Sequence, residues 1–326
     1  AWRAGRYDLA LQEIEAAERL RPDWEIAALF HTQILQRTSM DAARNYLADY
    51  LKRYPNAKEV RQNYARLLVA AKQYPLAREQ MKILVDANPS NPDAWLAYAG
   101  LSLEMKDPAT AVTALLQVQK LPMRDPSGAA FMLGQSYEDM GRYDEAAKAF
   151  LSIGQGERYL AAQARYTRLL AKQGKLEQAL QHLDTLPTSS NEQKISVLQL
   201  KVQTLRDAKQ FGRAMSLLDD ALKQYPGNTD LLYDRAMVAE RLDKIAESER
   251  DLREILRLKP DDPMTLNALG YTLADRTDRL AEALVLIEKA LKAQPNDPYI
   301  LDSMGWVKYR MGKLDESLDY LNRAYA

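Results

Sequence analysis

Residues 126–153 read PSGAAFMLGQSYEDMGRYDEAAKAFLSI. The stretch holds two amphipathic helical patterns joined by a tight turn. The first carries Ala130, Leu133, Gly134 and Tyr137, the turn is Gly141-Arg142-Tyr143, and the second carries Ala146 and Phe150. Two helices joined so closely need small residues where their backbones approach, and large side chains to fill the space beyond. Outward from this unit the prolines keep time. Pro22, Pro55, Pro89 and Pro122 lie 33 to 34 residues apart, Pro226, Pro260 and Pro295 lie 34 to 35 apart, and Pro187 falls about two periods after Pro122. A fixed period of this length marks a repeat array. Each interval holds two helical patterns and ends at a proline, which cannot continue a helix.

The 126–153 unit resembles the tetratricopeptide pattern W-x2-L-G-x2-Y…A-x3-F…P, with alanine in the tryptophan position. The tryptophan itself stands elsewhere, as Trp95 before Tyr98 and Ala99. The second-helix signature recurs as Ala10, Ile14, Ala17 and Pro22, and as Ala77, Met81, Leu84 and Pro89. It returns as Ala214, Leu218, Ala221 and Pro226, and as Ala283, Ile287, Ala290 and Pro295. The last unit shows Leu301, Met304 and Gly305, with a turn at Gly312-Lys313-Leu314. The resemblance implies an all-α fold over 1–326, a right-handed superhelical solenoid of stacked helix-turn-helix units, roughly nine full and one partial. No such unit buries its apolar face alone, so stability comes from stacked neighbours.

Composition is globular, with 47% hydrophobic and 28% charged residues. The 45 basic and 45 acidic residues balance to a net charge of +0, which gives no bulk nucleic-acid or membrane footprint. No run approaches the length of a membrane-spanning helix. Residues 1–5 are expected to close a first helix whose opening turns are missing, and 321–325 to close a second helix with no polar cap. More chain is therefore expected at both ends, and any signal peptide or lipid-attachment cysteine would lie outside this sequence.

Catalytic chemistry is not legible, so no enzyme, metal or cofactor is expected. There are no cysteines, which removes thiol nucleophiles, disulfides and thiolate zinc sites from this stretch. His31 and His182 stand far apart, in no metal-binding pattern, and are read as packed or solvated. Gly154-Gln155-Gly156 lacks a preceding strand, and Tyr159 replaces the third glycine of a phosphate loop, so it reads as an inter-repeat turn.

Function then rests on the concave face, lined in tetratricopeptide arrays by the first helix of each unit. Counting helical steps from the packing residue gives an aromatic C-terminal lining: Tyr233 and Met237, Asn267 and Tyr271, then Tyr299, Asp302, Trp306, Tyr309 and Arg310. Tyrosine and tryptophan dominate binding hot spots because they offer large area with few rotors. The alternative is that Tyr233, Tyr271, Trp306 and Tyr309 pack between repeats, and that the methionines fill the core. Earlier units give a polar and basic lining: Gln62 and Arg66, Arg168 and Lys172, then Gln199, Gln203 and Arg206. Such a lining suits peptide backbone, acidic side chains or a terminal carboxylate. The paired asparagines of the cochaperone clamp that captures a partner's C-terminal carboxylate are missing.

Regularity breaks after Ile153 and again at 185–194 (TLPTSSNEQK), a polar insertion expected to act as a hinge between an N-terminal subarray, 1–187, and a C-terminal one, 195–326. The stretches 267–275 and 301–306 resemble the long tetratricopeptide lipoproteins of Gram-negative bacteria, most of all the adaptor that binds a carboxyl-terminal processing protease. That resemblance implies a periplasmic scaffold, anchored to the outer membrane by an N-terminal lipid outside this segment. Its partners would be the protease and its cell-wall hydrolase substrates, with no nucleic acid. Two other readings stand beside it: the recognition arm of a larger enzyme such as a glycosyltransferase, and an assembly scaffold for envelope or secretion machinery.

Overall fold

The computed structural model describes residues 7–325, with side chains from residue 9. The residues 1–5 expected to close a first helix lie outside the described stretch. Among the described residues there are nineteen α-helices and no strand: a lone α1 (Tyr7–Leu20), then nine helix pairs. The chain divides into two compact units between Tyr166 and Thr167.

The first unit contains α1 and the pairs α2 (Glu25–Thr38) with α3 (Met40–Arg53), α4 (Lys58–Ala70) with α5 (Tyr74–Ala87), α6 (Pro92–Glu104) with α7 (Pro108–Val118), and α8 (Pro126–Asp139) with α9 (Tyr143–Leu151). The division falls inside α10 (Tyr159–Lys172). The second unit continues with α11 (Leu176–Asp184), α12 (Asn191–Asp207), α13 (Phe211–Gln224), α14 (Thr229–Arg241) and α15 (Ile245–Leu258). It ends with α16 (Pro263–Arg276), α17 (Leu280–Ala293), α18 (Pro298–Arg310) and α19 (Leu314–Tyr325). Within each unit a helix packs on the next one in sequence, and first helices also touch across neighbouring pairs, α2 on α4, α12 on α14 and α16 on α18. Each unit is thus a stack of helical hairpins.

Local chemistry sets the helix ends. Asn91, Asp125, Ser190, Asn228, Asp262 and Asp297 cap first helices by accepting from backbone N–H groups of the first turn. Pro92, Pro126, Pro263 and Pro298 sit in that turn, where no N–H is needed. Inside the pairs the turns recur. In seven of the nine pairs the third residue beyond the first helix donates back five residues, as from Gln73 to Leu68, Arg142 to Tyr137 and Lys244 to Ala239, each at 2.8–2.9 Å. In these seven turns the residue just before that donor is left-handed: glycine at 141, 174 and 312, and Lys72, Lys106, Lys209 and Asp243 in the rest, while the α2–α3 and α16–α17 turns have no such residue.

The small residues sit where the sequence expects them. A β-carbon on Gly134 would lie 2.6 Å from the Phe150 ring, one on Gly270 2.6 Å from Ile287, and one on Gly305 2.7 Å from Leu321. Ala146, Ala214 and Ala283 are fully buried opposite. On α17 the stripe Leu280, Leu284, Ile287 and Leu291 belongs to a core to which α18 adds Ile300 and Met304. On α19 the equivalent stripe, Leu314, Leu318, Leu321 and Tyr325, is exposed.

The irregular segment is shorter than expected. Asn191 to Lys194 form the first turn of α12, so the break spans only 185–190. Ser190 Oγ accepts from Gln193 N, and Gln193 Oε1 accepts from Ser189 N at 2.7 Å, a reciprocal cap that starts the helix early. The 185–190 break lies within the second compact unit. Gly154 to Gly156 form the α9–α10 connection, with open space around both glycines.

Candidate partner-binding faces

In the first unit, Gln62 and Arg66 are exposed on α4 and line a cleft of about 730 Å³ with Leu29, Val69, Gly100 and Glu104. Gly100 leaves it roomy, since nothing lies within 4 Å of where its β-carbon would be. Asn63 lines the same cleft, and its Oδ1 is buried with no hydrogen-bond donor. Sequence counting passed over Asn63, which follows Gln62 by one position. Its buried amide oxygen favours a ligand that supplies an N–H.

His31, on α2, is a packed side chain, its Nδ1 3.1 Å from the Glu18 carboxylate and its ring 4.3 Å from that of Tyr46. The Tyr46 hydroxyl donates to the same carboxylate, and burial with this bond pushes its pKa well up. His182 is partly buried, which lowers its pKa.

The basic lining expected in the second unit is matched by carboxylates. Arg168 lies 3.9 Å from Asp207, to which Gln203 also donates at 2.6 Å. Arg206 lies 3.8 Å from Asp234, which accepts from Gln199 at 3.2 Å. Lys172 is exposed on α10. This stretch is a ladder of alternating charge rather than a positive surface, because Asp207 and Asp234 project from the same face as the cations. Burial raises the Asp234 pKa despite its partners.

Toward the end of the second unit the aromatic residues separate into two groups. Tyr233, Met237 and Trp306 are partly buried against the core of α14–α18. Tyr299 and Tyr309 project, 75% and 53% exposed, and Tyr309 stacks on Trp306 with ring centroids 5.5 Å apart. Tyr271 is half-buried, and its pKa is raised by burial and then by Asp275, Glu240 and Asp302. Asn267 Oδ1 and Trp306 Nε1 are buried with no partner. Asp302 is exposed. Arg310 is not part of the free lining. Its guanidinium donates to the carbonyls of Ala274 at 2.6 Å and Asp275 at 3.0 Å, capping the end of α16. A small cleft of about 240 Å³ opens beside Tyr233, walled by Asp230, Lys259, Asp262 and Met264.

Tetratricopeptide-repeat family models match residues 35–99, 127–152 and 205–269. These stretches match tetratricopeptide repeats. The chain is 37% identical over 196 residues to the TPR repeat-containing protein PA4667 of Pseudomonas aeruginosa, covering 60% of this chain and 33% of that protein. The chain thus spans about a third of the length of this curated relative. A chain of the Naa15/Naa10 structure bound to HypK-THB aligns with a TM-score of 0.51 at 15% identity, over 99% of this chain and 61% of the other. That likeness is one of fold.

In a tetratricopeptide frame, the residues that sequence counting missed are polar: Asp207 and Asp234, which pair with the counted cations, and Asn63, Glu240 and Asp275, which make no such pair. They share helix faces with the residues counted, but apolar periodicity does not announce them. The described residues hold no group of three or more His, Cys, Asp or Glu side chains placed to bind a metal ion. No described helix is long and apolar enough to cross a membrane.

Proposed function

We propose that this chain is a non-catalytic scaffold that binds segments of partner proteins on the solvent faces of its first helices. The carrying observation is the exposed aromatic pair Tyr299 and Tyr309, with Tyr309 stacked on Trp306, beside polar atoms left without partners. Large exposed aromatics over a packed base are the usual anchors of protein interfaces. The cleft at Gln62 and Arg66 has a different chemistry, with two polar side chains that make no hydrogen bond or ion pair among the described residues. Two dissimilar faces suit two partners.

The finer reading is an adaptor of the Gram-negative periplasm, held at the outer membrane by a lipid outside these residues. It would bind a carboxyl-terminal processing protease and present cell-wall hydrolases to it. Support comes from the resemblance of residues 267–275 and 301–306 to such lipoproteins. Two partners held on one scaffold meet as an intramolecular pair, which raises productive encounter by roughly 10²–10⁴.

The test is capture from a periplasmic extract on the immobilised chain, compared with a Tyr299→Ala, Tyr309→Ala double variant and read by mass spectrometry. Both tyrosines are exposed, so the variant keeps its fold. Recovery of a processing protease with cell-wall hydrolases, thinned in the variant, is the expected result. Recovery of a fixed multi-subunit machine instead, without protease, would replace the adaptor with an assembly scaffold.

A further inference from the structure

The last three first helices bring three carboxylates around one aromatic side chain. Glu240 on α14, Asp275 on α16 and Asp302 on α18 all act electrostatically on Tyr271. None of the three carboxylates makes a side-chain hydrogen bond or an ion pair among the described residues. The cations close at hand are engaged elsewhere. Arg276 donates to Asp243, Arg310 to the carbonyls at the end of α16, and Lys308 reaches Glu316 at 2.7 Å, while Arg241 lies over the Phe211 ring. Glu240 is also half-buried, so burial raises its pKa, and Arg276 offsets only part of that. A buried, unpaired carboxylate destabilises a fold unless a partner arrives. Beside these charges stand the faces of Tyr271 and of the Trp306–Tyr309 stack.

We infer that the α14–α16–α18 face docks a lysine- or arginine-bearing extended segment of a partner protein. The inference rests on the scaffold reading above and names the chemistry of one partner. Charge complementarity selects this occupant: the carboxylates repel nucleic acid and anionic lipid, and an acidic tail is refused on the same ground. Aromatic faces hold a cation by its attraction to the ring quadrupole, and the methylene stem of lysine or arginine packs on the same rings. The docking mode is opposite in sign to a carboxylate-capturing clamp.

The experiment is fluorescence anisotropy with the whole 326-residue chain and three labelled decapeptides, alternating alanine with lysine, serine or glutamate. The lysine peptide is expected to bind most tightly, and to weaken as ionic strength rises from about 0.05 to about 0.15 M. A Glu240→Gln, Asp275→Asn, Asp302→Asn variant is expected to lose about tenfold in affinity or more. A Glu288→Gln, Asp315→Asn, Asp319→Asn variant makes the same charge change on second helices and is expected to lose little. Should the first triple variant melt early, Asp302→Lys alone, at an exposed position, is expected to weaken the lysine peptide as well. Equal loss in both triple variants would overturn the inference, as would no binding of the lysine peptide. Binding of the serine or glutamate peptide that Tyr309→Ala removes would overturn the cationic partner and leave the scaffold reading intact.

Discussion

Gly270 lies where two helix backbones meet, and a β-carbon there would also come within 3.0 Å of the Ala283 carbonyl. A backbone atom cannot step aside as a side-chain tip can. Gly270→Ala is therefore expected to cost about 1–3 kcal/mol in chemical denaturation. Gly134 and Gly305, which pack in the same way, were legible in the sequence, because close packing dictates the residue type and the repeat dictates its place. Arg235 was not legible. It donates to both oxygens of Asp251, itself 2% exposed, at 2.7 and 2.8 Å, and to Asp219 at 2.9 Å. Those partners come from α13 and α15, and no apolar pattern marks them. Asp207 and Asp234 escaped notice for the same reason, and with them the neutral character of the Arg168–Arg206 stretch. Glu240 carries its own prediction. Its pKa is raised in the folded chain, so its contribution to stability is full below the unfolded value and is lost as pH rises through the folded value. Glu240→Gln should therefore raise the melting temperature at pH 7 and leave it unchanged below about pH 4. Thermal denaturation at the two pH values checks this, and an equal effect at both would contradict it.

At the scale of the element, helix identity followed from the 34-residue period, and helix ends followed less well. The insertion at 185–194 reads as loop because it is polar throughout. Ser190 and Gln193 nevertheless form a cap that recruits Asn191–Lys194 into α12, the longest helix at 17 residues. Ser190→Ala is expected to cost about 1 kcal/mol and to fray that turn, seen as faster amide exchange over 191–194. What remains of the insertion, 185–190, we propose as a hinge. Support comes from a cleft of about 510 Å³ among α11, α12 and α13, lined by Leu180, Leu205 and Leu217. Ion pairs from Lys201 to Asp184 and from Arg213 to Glu177 span it. A broad-specificity protease at low dose is expected to cut first within 185–190. First cuts elsewhere, with this loop intact, would remove the hinge.

At the scale of the whole molecule, the repeat period sufficed to establish that each unit is a stack of helical pairs, because a pair must bury its apolar stripe on the next. It did not establish which faces remain free for partners. That depended on which polar groups found neighbours in the fold: Gln62 and Arg66 did not, Arg310 did, and Glu240, Asp275 and Asp302 did not. The proposed function places partners on the first helices. Hydrogen–deuterium exchange of the chain with and without a captured partner is the decisive measurement. Slowed exchange is expected in α14, α16 and α18, or in α4 and α6, with α15, α17 and α19 unchanged. Slowing confined to the second helices or to the inter-repeat turns would contradict that placement.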